Sequence, residues 1–329
     1  MKEIGGFLEL ELNHGSEFHE QGIALNSGRN CLRYLIHARK IKKIWLPKLL
    51  CSAISDTCLE EKVEISYYSV GGNLRPVLTE IRNREDWIYL INFYGQYSCD
   101  EISSYAKEYR NIIVDNVQAF YTKPIDGLDT IYTCRKFFGV PDGGYLYTDS
   151  TISEILQKDE SYNRLTFLAG RLERSANEFY STYRENEQQI DGLPLRKMSA
   201  VTQNILRGID YGQIKKVREQ NFRYLHEQFN SINPLELCLP DGPYMYPLLV
   251  KDGADIRRGL QEKKIYIPTL WPNVLESLTK EETEYDLAKD ILPLPCDQRY
   301  DLNDMQYLVK EVYRCLLLCK KQPNSCYKI

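Results

Sequence analysis

Short apolar runs alternate with helical spacings of apolar residues through the N-terminal half of the chain. Ile23-Ala24-Leu25, Ile44-Trp45-Leu46, Val63 to Tyr68, Ile88 to Phe93, Asn111 to Asp115, Asp129 to Thr133 and Gly144 to Tyr147 each read as a strand. Pro47 stops the second of these, and Tyr94-Gly95-Gln96 ends the fourth. Asn26-Ser27-Gly28 opens a helix through Cys31, Leu32, Leu35 and Ile36, and a further helix runs from Ser98 to about Tyr109. Strands alternating with helices predict an α/β fold with a mostly parallel sheet and right-handed crossovers.

The pattern changes after Ser153. It is mostly helical and highly charged to about Phe229, and Ile214, Val217, Asn221, Leu225 and Phe229 keep one face at helical spacing. Pro234 and Pro240 break that helix. Tyr246 to Val250 then reads as a strand, Ala254 to Lys263 as a helix and Ile265-Tyr266-Ile267 as a strand closed by Pro268. Ile291 to Leu294 reads as an edge piece that tolerates proline. Asp301 to Leu318 reads as a terminal helix. The expected division is a large domain over 1–230, including the N-terminal segment, and a small C-terminal α/β domain over 231–329.

Composition narrows the function classes. The 329 residues are 43% hydrophobic, enough for a proper core. A net charge of −4 supplies no basic field for nucleic acid or an anionic membrane. No apolar run is long enough to span a bilayer, and the first residues lack the apolar core of a signal peptide. The ten cysteines show no C-x-x-C pair and no companion histidines at zinc spacing, so no metal site is expected. Reduced thiols point to a cytoplasmic protein. The 25 tyrosines are many, and some are expected to line a pocket for a polar ring.

The chemistry concentrates around one apolar run. Ile112-Ile113-Val114 ends in Asp115, and Thr133-Cys134-Arg135-Lys136 and Gly143-Gly144 follow closely. A carboxylate at the end of a buried strand needs a partner. A protonated pyridinium is one, and a helix cap at Asn116–Ala119 is the other; the pattern leaves both open. Gln118 stands either beside a bound ring or in a solvated loop. Lys136, flanked by Arg135 and Phe137-Phe138, has the surroundings that lower an ammonium pKa and free a nucleophile. A surface lysine in a basic turn is the alternative. Thr133 offers a hydroxyl to a phosphate, and Arg135 a guanidinium. Ser27-Gly28-Arg29 sits between strand and helix, where free backbone N–H groups bind phosphate or Ser27 merely caps. Together these groups suit pyridoxal 5′-phosphate (PLP).

In this order the pieces resemble the DegT/StrS-type aminotransferases, fold-type I PLP enzymes. The family's serine-glycine phosphate loop is similar to Ser27-Gly28-Arg29, and its glycine-glutamine element to Phe93-Tyr94-Gly95-Gln96. Its aspartate-x-x-glutamine-alanine looks like Asp115, Gln118 and Ala119. Its lysine before a double glycine looks like Lys136 and Gly143-Gly144. Pro293-Leu294-Pro295 resembles a late family segment. The chain departs where Arg29 replaces a threonine and where the segment before the lysine is short. No ring-stacking aromatic follows the second strand, so Leu50 or Cys51 would cover the ring. Gly192 to Ser199 resembles the loop that reaches a partner subunit's phosphate, without its asparagine; Arg196 or Lys197 would serve there.

The resemblance implies an aspartate-aminotransferase-like PLP-dependent transferase fold, with a mostly parallel, seven-stranded-type sheet in the large domain. It implies a homodimer with a shared active site. It further implies a transaminase moving an amino group from glutamate to a keto-sugar nucleotide in surface polysaccharide biosynthesis. Lys136 and Asp115 would be the catalytic pair. Ser27, Gly28, Arg29, Leu50, Cys51, Gln118, Thr133, Arg135, Arg196 and Lys197 would surround the cofactor. A sugar dehydratase of the same family would carry a histidine in place of Lys136. A catalytically silent sensor or scaffold is the other alternative.

Overall fold

The computed structural model describes residues 4–321. The first half runs β1 (Ile23–Leu25), α1 (Gly28–Arg39), β2 (Lys43–Pro47), α2 (Ser52–Glu60), β3 (Glu64–Val70), β4 (Pro76–Val77), β5 (Trp87–Ile91), α3 (Cys99–Glu108), β6 (Asn111–Asp115), β7 (Asp129–Thr133) and β8 (Gly144–Tyr147). A short 3-10 turn, Phe93–Gly95, follows β5. The eight strands form one sheet in the order β1-β8-β7-β6-β5-β2-β3-β4. Its centre is parallel, from β7 through β6, β5 and β2 to β3, while β8, β1 and β4 pair antiparallel at the flanks. The expected mostly parallel α/β sheet is present. The two-residue β4 adds an edge strand too short for any hydrophobic period to announce.

Local chemistry explains the helix starts. The Ser27 side chain accepts the Asn30 N–H to cap α1, and Ser98 and Glu101 form a reciprocal capping box on α3. α1 ends at Lys40 in the left-handed conformation, φ +55°. The central strands are buried past their first residues, and β5 and β6 carry continuous apolar runs, Trp87–Ile91 and Ile112 to Val114.

The second half adds α4 (Thr166–Glu173), α5 (Tyr180–Asp191), α6 (Ala200–Arg207), α7 (Tyr211–Phe229), β9 (Met245–Leu249), α8 (Gly253–Glu262), α9 (Pro272–Ser277), α10 (Thr283–Asp290), β10 (Ile291–Pro295) and α11 (Leu302–Lys321). β9 and β10 form a separate antiparallel pair in which Pro293 faces Pro247. A second hydrophobic core gathers Phe222, Leu225 and Phe229 of α7 with Leu248, Leu260, Leu292, Leu294 and Val312. Ile265–Ile267 corrects the expectation of a strand there. The Ile265 N–H closes back on Leu260 O (3.0 Å) after Lys264 turns left-handed (φ +60°). Ile267 is apolar because it packs into the second core, not because it pairs.

Candidate active site

β6 carries the first group. Its apolar residues are buried in the sheet, and the strand delivers Asp115 to its carboxyl end, buried. No helix follows; a turn does, with the Ala119 N–H on Asn116 O (2.9 Å). The helix-cap alternative for Asp115 is therefore set aside. Its Oδ1 accepts the Val117 N–H (2.8 Å) and its Oδ2 the Tyr89 hydroxyl (2.8 Å). Burial pushes this carboxyl above its ordinary range; the Lys136 cation, the Val117 N–H and the Tyr89 hydroxyl oppose the shift. A cation placed against it would relieve that cost.

Lys136 stands on the turn after β7, where the Phe137 and Phe138 N–H groups both meet Cys134 O (3.0 and 2.9 Å). The residue is exposed. Desolvation lowers its pKa; Asp115 and Cys51 oppose that and Arg135 adds to it. Nζ lies 5.6 Å from the centre of the Tyr244 ring. It makes no ion pair within 4.0 Å among the described residues.

Gly28 and Gly144 draw the phosphate-binding candidates together. A Cβ on Gly28 would lie 3.6 Å from Val117 Cγ1 and 3.8 Å from Thr133 Cβ, so α1 begins against the Asp115 turn and the end of β7. A Cβ on Gly144 would lie 2.9 Å from Gly28 N, Ser27 C and Tyr132 O, so only glycine lets β8 pass there. The Gly143 N–H donates to Asn26 O (2.9 Å), which ties the double-glycine loop to the start of α1. Ser27 Oγ accepts the Asn30 N–H (3.1 Å) and keeps its own O–H to donate.

Other expected residues are committed elsewhere. Thr133 Oγ1 donates to Gly143 O (3.2 Å). Arg135 pairs with Glu187 of α5, and Arg29 with Asp191 at the end of the same helix (2.6 Å). Gln118 corrects the solvated-loop alternative: it is buried, and its Oε1 accepts the Tyr94 N–H (2.8 Å), bracing a turn in which Tyr94 takes φ +54°. Leu50 is buried and its carbonyl accepts from Asn273 (2.9 Å); Cys51 is exposed at the start of α2. Arg196 and Lys197 lie along their own chain's β1. Arg196 O accepts the Asn26 N–H (3.0 Å), and Lys197 bridges to Leu25 and Lys158 through its backbone. The sequence pattern missed Tyr89, Tyr244 and Arg218. Tyr89 is legible only once β5 and β6 are in register, with Ile91 opposite Asp115.

These residues fit PLP on three counts: a buried carboxylate that a cation would stabilise, an amine whose pKa desolvation lowers, and a glycine-lined helix start. Comparison with known proteins gives a fold and no close relative. No protein-family model matches the sequence, and none of the curated proteins is significantly similar to it. Among solved structures, a DegT/DnrJ/EryC1/StrS aminotransferase from Brucella abortus superposes with a TM-score of 0.62 at 14% identity, over 89% of this chain and 85% of that one. The sugar aminotransferase CalS13 from Micromonospora echinospora superposes with a TM-score of 0.62 at 12% identity, over 90% and 87%. NtdA from Bacillus subtilis, solved with bound pyridoxamine phosphate, superposes with a TM-score of 0.63 at 16% identity, over 89% and 72%. The chain is thus similar in fold to the DegT/DnrJ/EryC1/StrS sugar aminotransferases.

Proposed function

We propose that the chain is a PLP-dependent aminotransferase, with glutamate as amino donor and a keto-sugar nucleotide of surface polysaccharide synthesis as acceptor. The observation that carries the reaction type is the buried Asp115 carboxylate, held by Tyr89 and Val117 at the end of β6, with Lys136 on the turn that follows the adjacent parallel strand β7. The sugar class rests on the fold neighbours, one of which is a sugar aminotransferase.

PLP, when bound, supplies an aldehyde to exchange between amines and a ring that draws electrons from the carbon being deprotonated. Asp115 keeps a proton on the ring nitrogen, and Tyr89 and Val117 orient its carboxylate for that purpose. Lys136 Nζ would be the amine that holds the cofactor and the base that moves a proton at the donor carbon. Ser27 and the first N–H groups of α1 bind the phosphate. Leu50 and Cys51 would flank the ring. In a homodimer Arg196 or Lys197 on the 192–199 loop of a second copy would lend charge at the phosphate end.

Absorption spectroscopy tests this. The purified chain should give a visible band with PLP that bleaches on adding glutamate, and Lys136→Ala should lack both band and turnover while keeping its circular dichroism. A Lys136→Ala variant that still transaminates would end the assignment. The scaffold alternative draws on the engagement of Thr133, Arg135 and Arg29 with protein partners. It predicts no band and indifference to the loss of Asp115.

A further inference from the structure

The turn that bears Lys136 is held from outside the large sheet. On α7, Arg218 and Asn221 stand three residues apart and so share a face. Both are buried. Arg218 Nη2 donates to Phe137 O (3.1 Å), its Nη1 to Pro243 O (2.8 Å) and Tyr244 O (3.3 Å), and its Nε to Gln298 Oε1 (2.9 Å). Asn221 Nδ2 donates to Tyr300 O (2.9 Å) and Asp297 O (3.3 Å), which fixes the segment after β10. That segment presents Gln298, whose Nε2 donates to Phe137 O (2.9 Å).

The carbonyl of the residue after Lys136 thus gives one lone pair to Arg218 and the other to Gln298. The Phe137 N–H meets Cys134 O (3.0 Å), and the Cys134 N–H meets Gly143 O (3.2 Å) on the double-glycine loop. The same guanidinium holds the backbone of Tyr244, whose ring centre lies 5.6 Å from Lys136 Nζ and 5.7 Å from that of Phe137. A lysine has a long flexible stem. Freedom removed from its turn in advance need not be lost when Nζ forms a bond. Glutamine suits the place because one end accepts from Arg218 while the other donates to the carbonyl. A side chain needed only to satisfy Arg218 could equally be glutamate, with an ion pair gained.

We infer that Gln298 is a positioning residue for Lys136, acting through the Phe137 carbonyl. This rests on the cofactor reading above. Gln298→Glu keeps the acceptor for Arg218 and exchanges the donor for a second acceptor facing Phe137 O. The apo chain is titrated with PLP and, separately, with pyridoxine 5′-phosphate, which has an alcohol in place of the aldehyde and cannot bond to an amine. Gln298→Glu should raise the Kd for PLP about tenfold, the loss of one hydrogen bond to a buried carbonyl. It should leave the Kd for pyridoxine 5′-phosphate unchanged. In a Lys136→Ala background the same substitution should change neither Kd, because the residue it acts through is gone. Equal losses for the two ligands, or a PLP loss that persists without Lys136, would reduce Gln298 to a structural partner of Arg218. Unchanged PLP affinity would overturn the inference outright. Should Gln298→Glu not fold, Gln298→Met, of similar length and lacking both polar groups, decides with the same two ligands. A wild-type chain with no preference for PLP over pyridoxine 5′-phosphate would remove the cofactor reading and this one with it.

Discussion

Asp115 shows what a single residue gains and loses in this fold. The strand end places its carboxylate out of water, and two hydrogen bonds only partly offset that burial. Because its folded pKa is raised, the ionised form destabilises the apoprotein above its folded pKa. Asp115→Asn keeps an oxygen for Tyr89 and Val117 while removing the charge. The apo melting temperature should hold or rise, and transaminase turnover should fall by about a hundredfold or more, as when a preorganised electrostatic partner is removed. Stability that drops with the charge would mean that Lys136 needs Asp115 for the fold itself. Gln118 makes the opposite point. Its place in the D-x-x-Q pattern suggests contact with a ring, but its amide oxygen braces the Tyr94 turn.

At the scale of elements, α1 is both a structural helix and a candidate anion site, and Ser27 serves each role with a different atom. Its oxygen caps the helix by accepting from Asn30, and its hydroxyl proton remains available. Ser27→Ala should lower stability by ~1 kcal/mol through loss of the cap, read as a shift in the urea midpoint. PLP affinity should fall as well. A stability loss with unchanged affinity would make Ser27 a cap alone. Gly144 sets the companion constraint: Gly144→Ala puts a methyl against Gly28 N, Ser27 C and Tyr132 O at 2.9 Å. Backbone cannot yield there as a side chain would.

Two buried groups act on the whole molecule. Arg218 of α7 is among the largest fully buried side chains, and it is held by carbonyls rather than a carboxylate. Its guanidinium donates to Pro243 O (2.8 Å), Tyr244 O (3.3 Å), Phe137 O (3.1 Å) and Gln298 Oε1 (2.9 Å). It thereby fastens α7 to the turn bearing Lys136 and to the segment entering β9. Arg218→Leu strands several of these acceptors and should cost ~3 kcal/mol or more in thermal denaturation; a loss below ~1 kcal/mol would make it dispensable.

His19 reports on the packing of the N-terminal segment. Nε2–H donates to Phe120 O (2.7 Å), and Nδ1 accepts from the Tyr147 hydroxyl (3.2 Å). Burial lowers its pKa to about 4 from 6.5. Below pH 6.5 the unfolded chain takes a proton that the folded one refuses until about pH 4. Stability should therefore be retained above that window and fall through it by ~3 kcal/mol in all. Urea midpoints measured across that range should fall less steeply in His19→Gln than in the wild-type chain. Equal slopes would mean that His19 already carries its charge in the folded state.

β5 and β6 were legible because burial on both faces writes continuous apolar runs, and β6, β7 and β8 match their expected limits. The starts of α1 and α3 were legible because caps act within three residues. Asp115, Lys136 and the glycines stood out because their chemistry is unusual at a strand end. β4 left no such mark, and Ile265–Ile267 misled because packing and pairing select the same apolar residues. What only the tertiary structure decided is which groups meet. Tyr89 reaches Asp115 across a strand register 26 residues apart, Asp159 reaches Asn26 across 133, and Arg218 reaches Phe137 across 81. Propensity and periodicity act over a few neighbouring residues. Such pairings are set by how the sheet and helices stack, and the chain's local pattern carries no term for that.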